Sequence, residues 1–440
     1  MTNTSRFHVA LAIAAGCLAA VTISLSADGT PPREELDALF ARYDREPDGP
    51  ARDALAARID AAAHQKYATV SRLYWHTDLE SAKAAARAQG RPILHLRLLG
   101  RLDEDLSCAN SRLFRATLYA NQDVSRLLRE RFILYWSSER PVPRVTIDYG
   151  DGRRLERTTT GNSAHYILDE EGHVLDVLPG LYAPTAFRRE LDGSLALAAA
   201  VRDESNPERA RRLVEYHRQK VYAARQDWER LADTPWIPST AELLTQARVE
   251  SELAAAQRAT FAKAAMEVRD LRRFVPGVAP EAVPEDQIAL WSAAGQLVFG
   301  IGDLKVMKTP PVGEARLLSF TTSPARLPPP PRVLDDTSRA LIVELHNRVP
   351  REMRATAEEL DAMIARLEQA IVADSALNQL RLRPQIGREI VRRGGRIDFA
   401  TLNAWIYAEV FRTPKQDAWL GLLPRDVFTG VPGDGVVLRK

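Results

Sequence analysis

The sequence predicts an α/β domain, with a central mixed sheet flanked by helices, joined to mainly α-helical C-terminal regions. Three observations carry this. Helix and strand patterns alternate between Leu79 and Trp136, two hairpin patterns follow, and beyond Leu195 apolar residues recur at helical spacing. In the first pattern a helix over Leu79 to Gln89 precedes a strand at Pro92 to Leu98, then a helix from about Ala109 to Arg129 and a strand at Phe132 to Trp136. That order requires a parallel strand pair joined by a crossover helix. Val145 to Asp148 and Arg154 to Thr158 flank Tyr149-Gly150-Asp151-Gly152, which has hairpin turn chemistry, and His165 to Leu168 and His173 to Leu178 flank a second turn. A helix near Ala183 to Leu191 closes the segment.

The remaining elements are read from apolar spacing. Pro31 and Pro32 open a helix carrying Leu36, Leu39 and Phe40, and a second helix covers Ala51 to Ala63. Leu213, His217, Val221, Ala224, Trp228 and Leu231 share one face of a long helix that must pack on something. Lys308 to Val333, with the run Pro328 to Pro331, reads as a stiff extended linker. Beyond it, Leu360, Met363, Ile364, Leu367, Ile371 and Val372 mark another amphipathic helix. The expected divisions are 1–27, a signal peptide or N-terminal anchor; 28–68, a helical lead; 69–196, the α/β domain; 197–305, a helical domain; 306–334, the linker; and 335–440, a helical C-terminal region.

Composition narrows the function. Lys plus Arg number 60 against 58 acidic residues, a net charge of +2, so no global field recruits nucleic acid or an anionic membrane. Arg6 and His8 precede an apolar run from Val9 to Leu25, which reads as an export signal and implies a periplasmic or secreted protein. If the run is kept, it is the one expected membrane contact, an anchor in the inner membrane. Cleavage would leave Cys108 as the only cysteine, in a compartment that oxidises thiols.

The segment from Trp75 to Leu191 resembles the thioredoxin-like family, over about 120 of the 440 residues. Trp75, Glu80, Ala82, Gly90, Arg91, Pro92 and Ile93 stand in the order in which secreted members open. Tyr119, Asp123 and Val124 stand where the family has an aromatic and an acidic-Val pair. Counting back from them puts Cys108-Ala109-Asn110-Ser111 at the family's C-x-x-C, as a C-x-x-S. Gly161-Asn162-Ser163-Ala164 matches the family's Gly-x-Pro-Thr, so Ser163 stands in place of the cis-proline, and Asp169 to Gly172 matches Asp-x-x-Gly. The resemblance implies Cys108 and Ser111 as candidate catalytic residues, with Ala109, Asn110, Ser163 and Ala164 lining the groove. The stretch from Val145 to Thr158 is an insertion relative to that pattern.

A cysteine at a helix N-terminus meets unpaired N–H groups and the positive end of the helix dipole, which favour thiolate. Ser111, one turn on, can hydrogen-bond a thiolate but cannot resolve a mixed disulfide. Glu104 and Asp105 would raise the thiol pKa if close, and Arg101, Arg112 and Arg115 would oppose them. Cys108 is therefore either a partly buried remnant in a domain kept for its shape or a monothiol centre.

Other candidates have plainer readings. The histidines show no metal or haem spacing, so neither a metal nor a cofactor is expected, and His76, His95 and His165 read as core or edge residues. Gly150 to Gly152 and Gly433 to Gly435 read as turns. Arg381, Arg383, Arg388, Arg392, Arg393 and Arg396 read as the solvated face of a helix. The aromatics from Tyr407 to Trp419 read as docking the tail internally. The expected function is that of an exported partner-binding module for a protein partner. The alternative is a monothiol thiol-disulfide reductase or isomerase that relies on an external reductant.

Overall fold

The computed structural model describes residues 33–159, 161–234, 260–263, 285–302 and 328–413. The export segment 9–25 with Cys17, most of the linker, part of 197–305, and the residues from Trp419 to Gly435 lie outside the described residues.

The helical lead consists of α1 (Arg33–Tyr43), α2 (Pro50–Ala63) and α3 (Ala68–Ser71). Leu36, Phe40, Ile59, Ala63 and Ala68 form its own small apolar cluster. Two tryptophans tie it to the rest: the Trp75 indole donates to Gln65 Oε1 at 2.6 Å, and the Trp136 indole to the His64 carbonyl at 2.9 Å.

After α4 (Leu79–Gln89), β1 (Ile93–Leu99) runs through the middle of a four-stranded sheet. The sheet is completed by β2 (Ile133–Arg140), β5 (Ala164–Leu168) and β6 (Val174–Pro179), in the order β2-β1-β5-β6. β2 is parallel to β1, with Ile93 opposite Ile133, whereas β5 is antiparallel to β1 and β6 to β5. The mixed sheet with flanking helices is therefore as expected. Six of the seven β1 residues are buried, as befits a strand covered on both faces. β3 (Arg144–Asp148) and β4 (Arg154–Thr158) pair only with each other, as a separate exposed ribbon.

The crossover helix differs from expectation. Instead of one helix from Ala109 to Arg129, there is α5 (Ala109–Leu113), a π turn over Phe114–Leu118, and α6 (Gln122–Arg131). Asn121 makes the break, because its side chain accepts the Val124 N–H at 3.0 Å and caps a new helix. The helix near Ala183 to Leu191 also runs further, as α7 (Pro184–Val201), because Leu195, Leu197, Ala198 and Val201 continue its buried face.

The predicted long helix is α8 (Asn206–Ala232), entered through a capping box of Ser205 and Glu208, with Leu213, His217, Ala224 and Leu231 buried. It is followed by α9 (Glu285–Phe299), α10 (Asp336–His346), α11 (Ala357–Leu377), α12 (Arg383–Arg392) and α13 (Phe399–Trp405). A π turn over Asn378–Leu382 joins α11 to α12, and another over Ile406–Val410 follows α13. One contiguous core of buried residues extends from Leu73 in the α/β part to Phe411. Among the described residues no helix is long and apolar enough to cross a membrane.

Candidate functional site

Cys108 is reached from β1 through the loop 100–107, which is organised around one buried cation. The Arg115 guanidinium donates to the carbonyls of Leu102 (2.9 Å) and Glu104 (2.6 Å) and to Ser107 Oγ (3.1 Å). Burial lowers its pKa, partly offset by Tyr67 and Asp105. The carboxylates expected to bear on Cys108 instead meet surface partners. Glu104 meets Arg144 at 3.2 Å, and Asp105 meets the Tyr67 hydroxyl at 2.9 Å. Arg101 is paired with Asp103, and Arg112 donates to Thr158 Oγ1 at 2.9 Å.

Cys108 is the N-cap of α5, and its own N–H donates to the Leu99 carbonyl at 3.1 Å. Its thiol lies 3.5 Å from Ser111 Oγ and 3.1 Å from Ser163 Oγ. Ser111 Oγ in turn stands 2.9 Å from the Cys108 carbonyl and 2.7 Å from Ser107 Oγ. Its single proton is therefore directed to one of those oxygens, and toward sulfur it serves as acceptor. Gly161 lets the loop ahead of β5 approach this closely, since a Cβ there would lie 2.1 Å from Cys108 Cβ. The residues singled out in the sequence thus come together: Cys108, Ala109, Asn110, Ser111, Ser163 and Ala164 are all fully buried.

A distant part of the chain packs beside the site. The short segment from Thr260 to Lys263 is bonded to two of its neighbours: Asn110 donates to Thr260 Oγ1 at 3.3 Å, and the buried Lys263 ammonium donates to Asn162 Oδ1 at 2.9 Å. The segment is held from behind by Asp374 of α11, whose carboxylate accepts the N–H groups of Phe261 and Ala262. Burial raises the Asp374 pKa well above the usual carboxylate range, against the pull of those N–H groups and Lys263. From the C-terminal side, the Tyr407 hydroxyl donates to the Asn162 carbonyl at 3.1 Å, so this tail aromatic docks internally. No local pattern signals the segment 260–263, because its partners are 101 to 150 residues away.

Sulfur has no histidine among its hydrogen-bond partners in the described residues. His165 Nε2 sits 2.6 Å from the Tyr119 hydroxyl, and burial takes its pKa down to about 3. His95 pairs with Ser137 at 2.7 Å and is likewise held neutral by burial. Both are core residues, as expected.

A second buried polar cluster was missed. Arg383, expected on a solvated face, is buried and contacts both Asp176 of β6 and Glu190 of α7. Ser194 and Tyr216 each donate to Asp176 at 2.8 Å, and Lys220 reaches Glu190 at 2.7 Å. Burial would raise the Asp176 pKa, but Arg383 together with His217, Lys220 and Ser194 outweighs it and brings it down to about 2. Burial would raise Glu190 too, but Arg383 and Lys220 lower it. Two acids face Arg383 and Lys220 here, with Arg189 also 3.5 Å from Glu190, so the cluster carries no unbalanced negative charge and joins β6, α7, α8 and α12. Among the described residues no group of three or more His, Cys, Asp or Glu is placed to hold a metal ion. No family model matches the chain, and no match was found among curated proteins or solved structures.

Proposed function

We propose that this is an exported protein with a thioredoxin-like domain that serves mainly as a partner-binding scaffold, with at most monothiol chemistry at Cys108. The observation that carries this reading is the burial of Cys108: it is fully buried, and Thr260 and Lys263 of its own chain bond to Asn110 and Asn162 near it. A thiol-disulfide enzyme must bring sulfur into line with a substrate disulfide, so its thiol has to be accessible. The thioredoxin-like part of the reading is supported by the strand order β2-β1-β5-β6 and by Ser163 meeting sulfur from the loop ahead of β5.

The rival reading is a monothiol reductase or isomerase, favoured by the Ser163 hydroxyl, which can donate to sulfur at the N-cap of α5. Its thiolate would attack a partner's disulfide and expel one partner sulfur as thiolate, leaving a mixed disulfide. An external low-molecular-weight thiol would then have to attack that bond and restore Cys108.

Alkylation of the mature protein across pH, with Cys108→Ser as the blank, separates the two. The scaffold reading expects native Cys108 to react on the order of a hundredfold more slowly than in urea. Fast native reaction below about pH 7 would overturn it in favour of the monothiol enzyme.

A further inference from the structure

The face shared by α8 and α12 carries a feature that the Cys108 site does not use. Gly387 lets the two helices pack closely, since a Cβ there would lie 3.1 Å from Val221 Cγ2. Outside that contact, a groove runs along α8 from Pro207 to Trp228, in two stretches of about 590 and 680 Å³ that share Arg218. At 1.5 Å per residue it is about 30 Å long. Its lining repeats every seven residues on α8: Val214, Val221 and Trp228 form an apolar row, and Arg211, Arg218 and Arg225 a basic one.

The opposite bank is also basic, with Arg388, Arg392 and Arg396. Glu389 is engaged by Arg392 and Arg393. Arg218, Arg388 and Arg396 have no acidic partner among the described residues, and Arg218 and Arg388 are exposed. Tyr222 opens onto the groove with 60% of its surface exposed. The groove therefore combines an apolar floor, a helical repeat and two basic rims, in which Arg211 and Arg225 are paired with Glu208 and Glu229 and Glu215 lines the Pro207 end, so that its free positive charge is centred on Arg218 and Arg388.

We infer that this groove binds an acidic amphipathic α-helix of a protein partner, with apolar residues seated on Val221, Tyr222 and Trp228 and carboxylates meeting Arg218 and Arg388. This rests on the partner-binding reading and gives it a location. A helix about 10 Å across fits a concave seat and matches a seven-residue repeat. A flat anionic lipid surface would meet the arginines on the rims and leave the apolar floor unfilled.

The probe is a fluorescein-labelled 21-residue helical peptide, with Leu at heptad a and d positions and Glu at e and g, titrated against the mature protein by anisotropy. Saturable binding that weakens about tenfold or more in Arg218→Glu/Arg388→Glu, survives in Arg218→Lys/Arg388→Lys, and is absent for the same peptide with Lys in place of Glu supports the inference. Unchanged melting of both variants shows that the fold is intact. No saturable binding, or binding indifferent to the charge reversal, overturns it. So does charge-dependent binding to phosphatidylglycerol vesicles without peptide binding, or self-association that the same reversal abolishes. Running the titration with Cys108→Ser as well keeps the readings apart. A failed groove with an inert thiol sinks only this inference, whereas a reactive native thiol sinks the scaffold reading whatever the peptide does.

Discussion

Two buried polar clusters among the described residues differ in what they contain. Around Cys108 the groups are a thiol, three serine hydroxyls and backbone carbonyls, with the Arg115 guanidinium on Ser107 and, among the described residues, no carboxylate bonded to sulfur. Around Arg383 there are two carboxylates, its own guanidinium, the Lys220 ammonium, Arg189 at the edge and two hydroxyls. The first is where the sequence motif sits, and orphaning one of its buried hydroxyls or carbonyls costs about 1–3 kcal/mol. The second has no motif, yet removing one member strands a charge out of water. Motif and mechanical importance thus fall in different places.

The largest expected effect follows from this. Arg383→Leu leaves Asp176 and Glu190 facing each other without their shared cation, and is expected to cost about 3–5 kcal/mol in urea unfolding. Replacing Asp176, Glu190 and Arg383 together with apolar residues of similar volume is expected to recover most of that loss. If the triple replacement is as damaging as the single one, the cluster contributes more than charge compensation.

Acid provides the next test. The folded Asp176 pKa of about 2 lies below its ordinary 3.8, so its contribution is present above about pH 4 and is lost as pH falls toward 2. The shift corresponds to about 2 kcal/mol. Asp374, raised by burial, has the opposite sign: it favours folding below the unfolded value, and that contribution is lost as pH rises toward its raised folded value. Stability measured from pH 5 to 2 is therefore expected to fall more steeply in Asp374→Asn than in the parent.

Smaller effects belong to the Cys108 cluster. Asp374→Ala removes the acceptor that holds Phe261 and Ala262, and native Cys108 alkylation is expected to speed up about tenfold as the segment 260–263 opens more often. An unchanged rate would mean that Tyr407 and the loop at Asn162 suffice to seal the site. Cys108→Ser keeps a hydroxyl beside Ser163 and is expected to cost no more than about 1 kcal/mol by thermal melting. A larger loss would mark sulfur packing as a main support of α5.

The same contrast explains how much the sequence disclosed. Strands β1, β2, β5 and β6 were legible because local patterns encode them, as buried apolar runs and turn residues, whereas the meeting of Cys108 and Ser163, 55 residues apart, was an implication of the resemblance to the thioredoxin-like family. The segment 260–263 and the Asp176–Glu190–Arg383 cluster were not legible, since both join residues far apart in the chain. Arg383 was expected on a solvated face with five neighbouring arginines, but it stands three and seven residues before the buried Ile386 and Ile390 and so shares their inward face of α12. Its N–H bonds to the Asn378 carbonyl, closing a π turn that holds one extra residue before α12.

That π turn also sets which changes of length the segment tolerates. Deleting one residue between Asn378 and Leu382 would take out the extra residue and let the turn close as ordinary α-helix, with α12 near its present phase. Inserting one more residue there has no such outlet and would swing everything downstream by about 100°. Arg383 would leave its acids, Gly387 would turn from Val221, and the basic bank of the α8 groove would face elsewhere. Along this stretch the fold can absorb the loss of a residue but not the gain of one.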